Sequence, residues 1–295
     1  MSDLSGMRLL IIGFGYTAAT IARVVVNSGG SVVGTVTGQE EAARLEAAGL
    51  ETLVFDGAFG TDAVRTALID STHVLVTVPA ANGDPVLPSI GQDIFARPRP
   101  QWVGYMSTVG VYGDHGGADV TEQTPPRPSR PRARNRLAAE KAWAKAADAA
   151  EVPLSILRLG GIYGPQRNAL FDLARGKAHR IVKPGHLSSR IHVEDIAIVT
   201  LAAAVRRADG IFNLVDDEPA PPQDVVTYAA SLMGVEPPPE VPIEKAKLSP
   251  MGQSFYDDDR RVLNTKVREQ LGTMYRYPTY RLGLGQMWRD GTWKG

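Results

Sequence analysis

The stretch Met7-Arg-Leu-Leu-Ile-Ile-Gly13-Phe-Gly15-Tyr-Thr-Ala18-Ala-Thr-Ile-Ala22 leaves this chain few folds to choose from. Its first half is a short run of branched apolar residues, the pattern of a strand covered on both faces. Glycines end the run, and the apolar spacing then becomes that of a helix, with Ala18, Ile21, Ala22 and Val25 on one side. A strand feeding a helix through Gly-x-Gly-x-x-Ala has the form of a dinucleotide pyrophosphate site. Gly13 permits the tight turn, and Gly15 lets backbone N–H groups approach a phosphate with no Cβ between them. Ala18 takes the third glycine position, where helix and strand pack closely, and its methyl group is a mild departure. The helix N-terminus adds partial positive charge. A glycine turn in an ordinary βα unit would use the same residues, so the motif gains meaning only from the rest of the chain.

Beyond Ala22 the chain alternates between strand and helix patterns. Ser31–Val36, Thr52–Phe55, His73–Val78 and Trp102–Met106 read as strands. Gln39–Ala48, Asp62–Ile69 and Val86–Ala96 read as the helices between them, with Gly49 just past the first. Proline density from Pro125 delays the next helix to about Arg132, with Leu137–Ala150 as its alanine-rich body. Val152–Leu157 is a sixth strand. This order predicts an α/β fold, a Rossmann-type doubly wound parallel sheet with right-handed crossovers. Ligands of such sheets lie beyond the carboxyl ends of the strands. The expected site positions are therefore Gly13 to Ala18, Thr35 to Thr37, Asp56, Val78 to Ala80, and Ser107 with Thr108. Past the sixth strand the pattern is irregular and proline-rich, which predicts a smaller, discontinuous C-terminal lobe.

Charge and composition narrow the function. Lysine plus arginine equals aspartate plus glutamate at 32 each, so no global field favours nucleic acid or anionic membranes. The absence of cysteine removes disulfides, thiolate nucleophiles and Cys-based metal sites, and no metal is expected. No apolar run approaches the roughly 20 residues needed to span a bilayer. Met1-Ser-Asp-Leu-Ser-Gly lacks the basic and apolar regions of a signal peptide. The expectation is a cytoplasmic protein with a small-molecule substrate and neither nucleic-acid nor membrane partners.

Four further stretches carry a resemblance. They are Met106-Ser-Thr-Val-Gly-Val-Tyr-Gly113, Leu157-Arg158-Leu-Gly-Gly-Ile-Tyr163-Gly164-Pro165, Ile191-His192-Val-Glu-Asp195-Ile-Ala and Phe212-Asn213-Leu. With the glycine turn, in this order and spacing, they resemble the extended short-chain dehydrogenase/reductase superfamily, of the NAD-dependent epimerase/dehydratase type, over residues 7 to about 215. The resemblance implies a Rossmann domain over 1–165, rejoined by about 186–215, and a mainly substrate-binding lobe over 166–295. It implies that Gly13, Phe14, Gly15, Tyr16 and Thr17 face the pyrophosphate and that Thr77, Val78, Pro79 and Ala80 pass beneath the ribose. Ser107 and Tyr163 would complete the cofactor floor. Asp56 would bond the adenine amino group, or be a solvated strand-end carboxylate. Arg190 and His192 would contact substrate, His192 having a structural role as its alternative. The region after the second strand, Gly34-Thr35-Val36-Thr37-Gly38, has neither the carboxylate that marks NAD nor an arginine for the NADP phosphate. NAD or NADP is expected, with a lean to NADP because the Thr35 and Thr37 hydroxyls can bond phosphate. A homodimer through the helices near Val86–Ala96 and Leu137–Ala150 is a further expectation.

One part of the family pattern is missing. Its Tyr-x-x-x-Lys pair, in which lysine lowers the tyrosine pKa and the phenolate exchanges a proton with substrate oxygen, has no counterpart here. Counting back from Glu140 puts Arg132 at the tyrosine position and Arg136 at the lysine position. No tyrosine lies between Tyr112 and Tyr163. Removing a proton from a guanidinium at pH 7 costs on the order of 7 kcal/mol, so an arginine can clamp an anion but not shuttle a proton. Arg132 and Arg136, one turn apart, would grip an anion or be solvated. Thr108 fits the hydroxyl that orients substrate oxygen, and Tyr112 is a substitute proton donor. Two functions stay open: an oxidoreductase or epimerase acting at a hydroxyl or carbonyl carbon of a small polar or sugar-like substrate, and a catalytically inactive dinucleotide-binding regulatory or redox-sensing protein.

Overall fold

The computed structural model describes residues 3–96, 98–249, 252–253 and 255–295. The chain forms two compact units. The first comprises the chain up to Val111 with Arg130–Arg158 and Ala197–Phe212; the second comprises Tyr112–Ser129, Leu159–Ile196 and Asn213–Gly295.

The first unit is built on a seven-stranded sheet of β1 (Arg8–Ile12), β2 (Ser31–Val36), β3 (Glu51–Val54), β4 (His73–Val76), β5 (Trp102–Thr108), β6 (Leu154–Leu159) and β7 (Gly210–Leu214). The order is β7-β6-β5-β4-β1-β2-β3, and the pairs β1–β2, β2–β3, β1–β4 and β4–β5 run parallel. The order reverses between β1 and β4, the place where such sheets open a crevice. Leu10 and Ile12 share a core with Val33, Val74, Val76, Val103 and Ile156, which leaves Leu9 and Ile11 for the opposite face. All four are 1% exposed or less, as the uninterrupted apolar run required.

Helix α1 (Tyr16–Asn27) buries Ala18, Ile21, Ala22 and Val25, the stripe read from its spacing. Helices α2 (Gln39–Ala47), α3 (Thr61–Asp70) and α4 (Leu87–Ile94) follow their strands as expected. The long helix α5 begins at Pro131 and runs to Ala150, one residue before the expected limit near Arg132. Proline at the first helical position has no N–H to lose to the helix and a preset φ, so Pro131 starts α5 rather than delaying it. Its buried side carries Ala139, Glu140, Trp143, Ala147 and Ala150. Trp143 stacks on Tyr105 at 5.7 Å and donates to the Asp84 carboxylate, so this tryptophan is engaged within the unit.

The second unit holds three short parallel pairings: Gly161–Tyr163 with Arg190–His192, Arg180–Val182 with Glu240–Pro242, and Asp119–Val120 with Arg261–Val262. A core of Tyr163, Leu170, Ala220, Ala229, Tyr280, Leu284, Met287 and Trp293 ties the helices Pro222–Met233 and Tyr280–Asp290 to the first pairing. Asp195 fixes a loop in this unit by accepting from the Arg276 and Tyr277 N–H groups at 2.6 and 3.0 Å. Among the described residues no helix is long and apolar enough to cross a membrane.

Candidate functional site

The carboxyl edge of the sheet is assembled around Gly13. Its φ is +93°, and a Cβ there would lie 2.7 Å from Val78 Cγ2, so glycine is required twice over. The Gly13 N–H donates to Thr35 Oγ1 at 2.9 Å, and the Thr77 hydroxyl donates to the Gly13 carbonyl. Thr35 is 1% exposed. Thr35 and Thr77 thus stitch the ends of β2 and β4 to the turn after β1. Phe14 lies against Gly34, whose missing side chain makes room for the ring.

Gly15 differs from Gly13. Its φ and ψ of −115° and −162° suit any residue, and a Cβ there would meet nothing within 4 Å. No internal contact asks for glycine here; a group arriving from outside would. No side chain caps α1, and no acidic residue lies in its first turn. An uncapped helix N-terminus, with open space beside a glycine, fits a phosphate. The residues present therefore fit the dinucleotide that the motif implies.

The neighbouring strand ends complete the edge. Asp56 accepts the Ala58 and Phe59 N–H groups at 2.9 and 2.7 Å, both on Oδ1, and these bonds hold its carboxyl below the usual range. Thr37 and Pro79 are exposed, Val78, Tyr16 and Thr17 half-buried, and Ala80 buried. Thr108 Oγ1 accepts the Gly110 N–H at 3.1 Å, which leaves its own O–H to donate elsewhere. Ser107 is turned away from the edge: it is 6% exposed and donates to Glu140. Glu140 in turn accepts from Arg158 Nε and Nη2 at 3.1 and 2.7 Å. The Arg158 of the Arg-x-x-x-x-Tyr-Gly-Pro stretch and the Glu140 used for counting thus form one buried ion pair.

Arg136 is the residue whose placement departs most from expectation. It is half-buried, not a solvated helix-start arginine. Its Nη1 donates to Val78 O at 3.2 Å, Met106 O at 2.9 Å and Tyr105 Oη at 2.9 Å. Carbonyls from the ends of β4 and β5 therefore fix a permanent cation at the sheet edge. Asn135, beside it, donates to Ala81 O at 2.8 Å and ties down the segment after β4. Arg132, one turn earlier, is exposed. Burial pushes the Tyr105 phenol up to about 12 against the opposing pull of Arg136.

The remaining candidates lie in the second unit. Tyr112 is fully buried and donates to Asn213 Oδ1 at 2.7 Å, which occupies the proton it was expected to offer. Tyr163 is 7% exposed, sits edge-on to His192 at 5.1 Å, and has its phenol pushed up first by burial and then by Asp216 and Asp195. His192 is 2% exposed, accepts the Glu194 N–H at 3.2 Å and packs, tilted by 54°, against the Tyr277 ring at 4.1 Å. Burial, with Arg276 assisting, pushes it down to about 3, so it stays neutral inside the packing. Arg190 donates to Ser188 O and Ala220 O at 2.9 and 3.1 Å. Beside it stands Asp216, 3% exposed and not among the candidates the sequence suggests. Burial pushes Asp216 up to about 8, although the Arg190 charge pulls the other way. In sequence Asp216-Asp217-Glu218 looks like a solvated turn; its position directly after a buried strand was the only signal.

A doubly wound sheet of this order, with a glycine turn at its switch point, defines a Rossmann-type dinucleotide-binding chain. The model of the NAD dependent epimerase/dehydratase family matches residues 95–214. A functionally unknown conserved protein from Silicibacter pomeroyi is 42% identical, with a TM-score of 0.86, over 97% of this chain and 99% of its own. The dTDP-glucose 4,6-dehydratase from Bacillus anthracis, solved in complex with NAD, is 15% identical with a TM-score of 0.77, over 97% of each chain. At that identity the likeness concerns the fold. Among curated proteins, a 3-diazoavenalumate denitrifying reductase from a Streptomyces species is 30% identical over 142 residues. That match takes in 44% of this chain and 46% of the relative, about half the length of each. Over residues 95–214 the chain matches the NAD-dependent epimerase/dehydratase family.

Proposed function

We propose that the chain is an NAD-dependent reductase whose first unit holds the dinucleotide and whose second unit holds a small polar substrate. The observation that carries this is the fixing of Arg136 across the ends of β4 and β5 by Val78 O and Met106 O. A cation held this firmly at the lysine position is positioned to act on a ligand. Its three contacts all use Nη1, so Nε and Nη2 are the donors for a ribose hydroxyl or a substrate oxygen. Gly13, Gly15 and the first turn of α1 would hold the pyrophosphate, Asp56 the adenine, and Thr77 to Ala80 the ribose. Thr108 would orient substrate.

NAD is preferred to NADP on this reading. Thr35 is committed to the Gly13 N–H, and Arg44 is paired with Glu41 at 2.5 Å. Glu40 and Glu41 in the first turn of α2 would repel a 2′-phosphate. Bound nicotinamide would supply or accept hydride; the chain's own residues orient, and burial pushes the Tyr105 and Tyr163 phenols up rather than down. This suits substrates whose reduction needs no proton from an enzymic tyrosine. The partial relative from Streptomyces bears a name that describes reduction with loss of nitrogen, a change of that kind.

The test pairs calorimetric NAD and NADP titrations with stopped-flow oxidation of NADH against a panel of carbonyl, activated alkene and diazo carboxylates. NAD binding at least tenfold tighter than NADP, and turnover of a non-carbonyl acceptor, are expected. Binding without oxidation by any acceptor would favour the regulatory reading, and failure to bind either dinucleotide would end both.

A further inference from the structure

We propose that the second unit carries an activated serine nucleophile, Ser188, with His186 as its base and Asp259 as the group that orients the base, and that it performs acyl transfer on small esters independently of dinucleotide chemistry.

Asp259 anchors the cluster. Its Oδ2 accepts from Lys183 Nζ at 2.8 Å, and its Oδ1 contacts His186 Nδ1. Lys183 Nζ is itself fixed by the Tyr256 carbonyl at 2.6 Å. Burial opposes the charge on Asp259, but the bonds from Lys183 and His186 outweigh it and hold the carboxyl below its ordinary range. An ionised carboxylate only accepts, so the bond to it places a His186 proton on Nδ1; in the neutral ring Nε2 is then an acceptor. The ring is 2% exposed and lies 5.3 Å from the Tyr256 ring, which limits its rotation.

Ser188 Oγ stands 3.3 Å from His186 Nε2. With Nε2 an acceptor, the serine donates. This is the order nucleophile, base, orienting carboxylate that defines a serine triad by geometry and role rather than by fold. The separation is slightly longer than the usual 2.6–3.2 Å, as is common where no ligand draws the pair together.

The serine is held as a reacting group must be. Its N–H donates to Ala220 O at 3.1 Å, and its carbonyl accepts the Ala220 N–H at 3.2 Å. Arg190 Nη1 and Nη2 then bridge the Ser188 and Ala220 carbonyls at 2.9 and 3.1 Å. The backbone is clamped on both sides while Ser188 stays half-buried, unlike the enclosed histidine. A purely structural serine needs neither an ionised carboxylate behind its histidine nor a lysine behind that carboxylate.

The step balances without a co-reactant other than water. Ser188 Oγ bonds to the ester carbonyl carbon as its proton passes to His186 Nε2, and Asp259 stabilises the resulting imidazolium. The carbon–oxygen bond to the leaving alcohol breaks as that alcohol takes the proton from Nε2. Water then adds to the acyl-serine, giving one proton to Nε2 and releasing the carboxylic acid, and Ser188 recovers its hydroxyl proton.

The full-length chain should be treated with a fluorophosphonate probe, digested, and the labelled peptide identified by mass spectrometry, with p-nitrophenyl acetate hydrolysis followed in parallel. Labelling at Ser188 is expected, lost in Ser188→Ala and slowed at least about tenfold in His186→Gln and Asp259→Asn. A wild-type chain left unlabelled at Ser188 overturns the proposal, as does labelling at an unchanged rate in a His186→Gln protein with a native circular dichroism spectrum. Should His186→Gln fail to fold, the rate in Asp259→Asn decides in the same way. NAD titration of the same preparations is a separate readout, so a chain that binds NAD but resists the probe overturns this inference alone.

Discussion

Replacing Glu140 with glutamine tests what holds the wall behind the sheet edge. The Glu140 and Arg158 side chains are 3% and 2% exposed, and the carboxylate accepts from Arg158 Nε and Nη2 and from Ser107. Glutamine keeps the volume but presents an NH2 group to one arm of the guanidinium and removes the negative charge opposite it. Removing one member of a buried ion pair costs about 3–5 kcal/mol, against about 1.5–3 kcal/mol for the charge-assisted Ser107 bond alone. A loss of that size is a large part of the roughly 5–15 kcal/mol that keeps a domain folded. Ser107→Ala should therefore be the milder change and Glu140→Gln the more severe. The double variant Glu140→Met/Arg158→Met, which buries no charge, should regain most of the loss. Urea unfolding followed by Trp143 fluorescence and far-UV dichroism reads all three, provided the m-values agree. A Glu140→Gln chain within about 1 kcal/mol of the parent, or a double variant as unstable as the sum of its singles, would refute the assignment of stability to this pair.

Three other substitutions read the site. Gly15→Val should leave urea stability unchanged, because the backbone is extended and the space open, yet raise the NAD dissociation constant at least about tenfold by calorimetry; equal affinity would remove Gly15 from the phosphate site. Arg136→Met should lower the rate of NADH oxidation at least about tenfold, with Arg136→Lys recovering part of it, and indifference to both would remove Arg136 from the mechanism. Asp216, with its pKa raised to about 8 from 3.8, binds a proton in the folded chain that the unfolded chain releases, so its burial lowers stability progressively as pH rises from about 4 to 8. Asp216→Asn should remove that slope, a difference on the order of 5 kcal/mol at pH 8 that closes by pH 4; parallel pH profiles would place the unusual proton elsewhere.

The sequence made the sheet legible because both-faced burial forces an unbroken apolar run and a one-sided helix forces a 3.6-residue stripe. Leu9–Ile12 and the Ala18, Ile21, Ala22, Val25 stripe obey both rules. Helix α5 began earlier than expected because proline's effect on a helix depends on whether it stands first or within. The direction of the polar side chains at the sheet edge was not legible. Ser107 and Thr108 are adjacent on β5, but strand alternation sends one to Glu140 and turns the other to the Gly110 N–H. The Ser188–His186–Asp259 series joins residues 73 positions apart, and no local spacing announces such a contact.

The tyrosines bear on what kind of chemistry the proposed reductase is suited to. A phenol that works as proton donor at neutral pH must have its pKa drawn down, and a nearby cation is the usual means. Here the cation exists, in Arg136, and it touches a phenol, in Tyr105; yet burial wins and the phenol is pushed up to about 12. Tyr112 spends its proton on Asn213, and Tyr163, enclosed by its own unit, is pushed up by burial and by two carboxylates. Each phenol therefore holds its proton more tightly than a free one, or has already placed it. On the proposed reading Arg136 would keep only the other half of the usual pair's work, fixed positive charge beside the reacting groups. On the proposed reading that charge favours substrates that gain hydride and need an anionic or carbonyl group held still, over substrates that must surrender or receive a proton on oxygen in the same step.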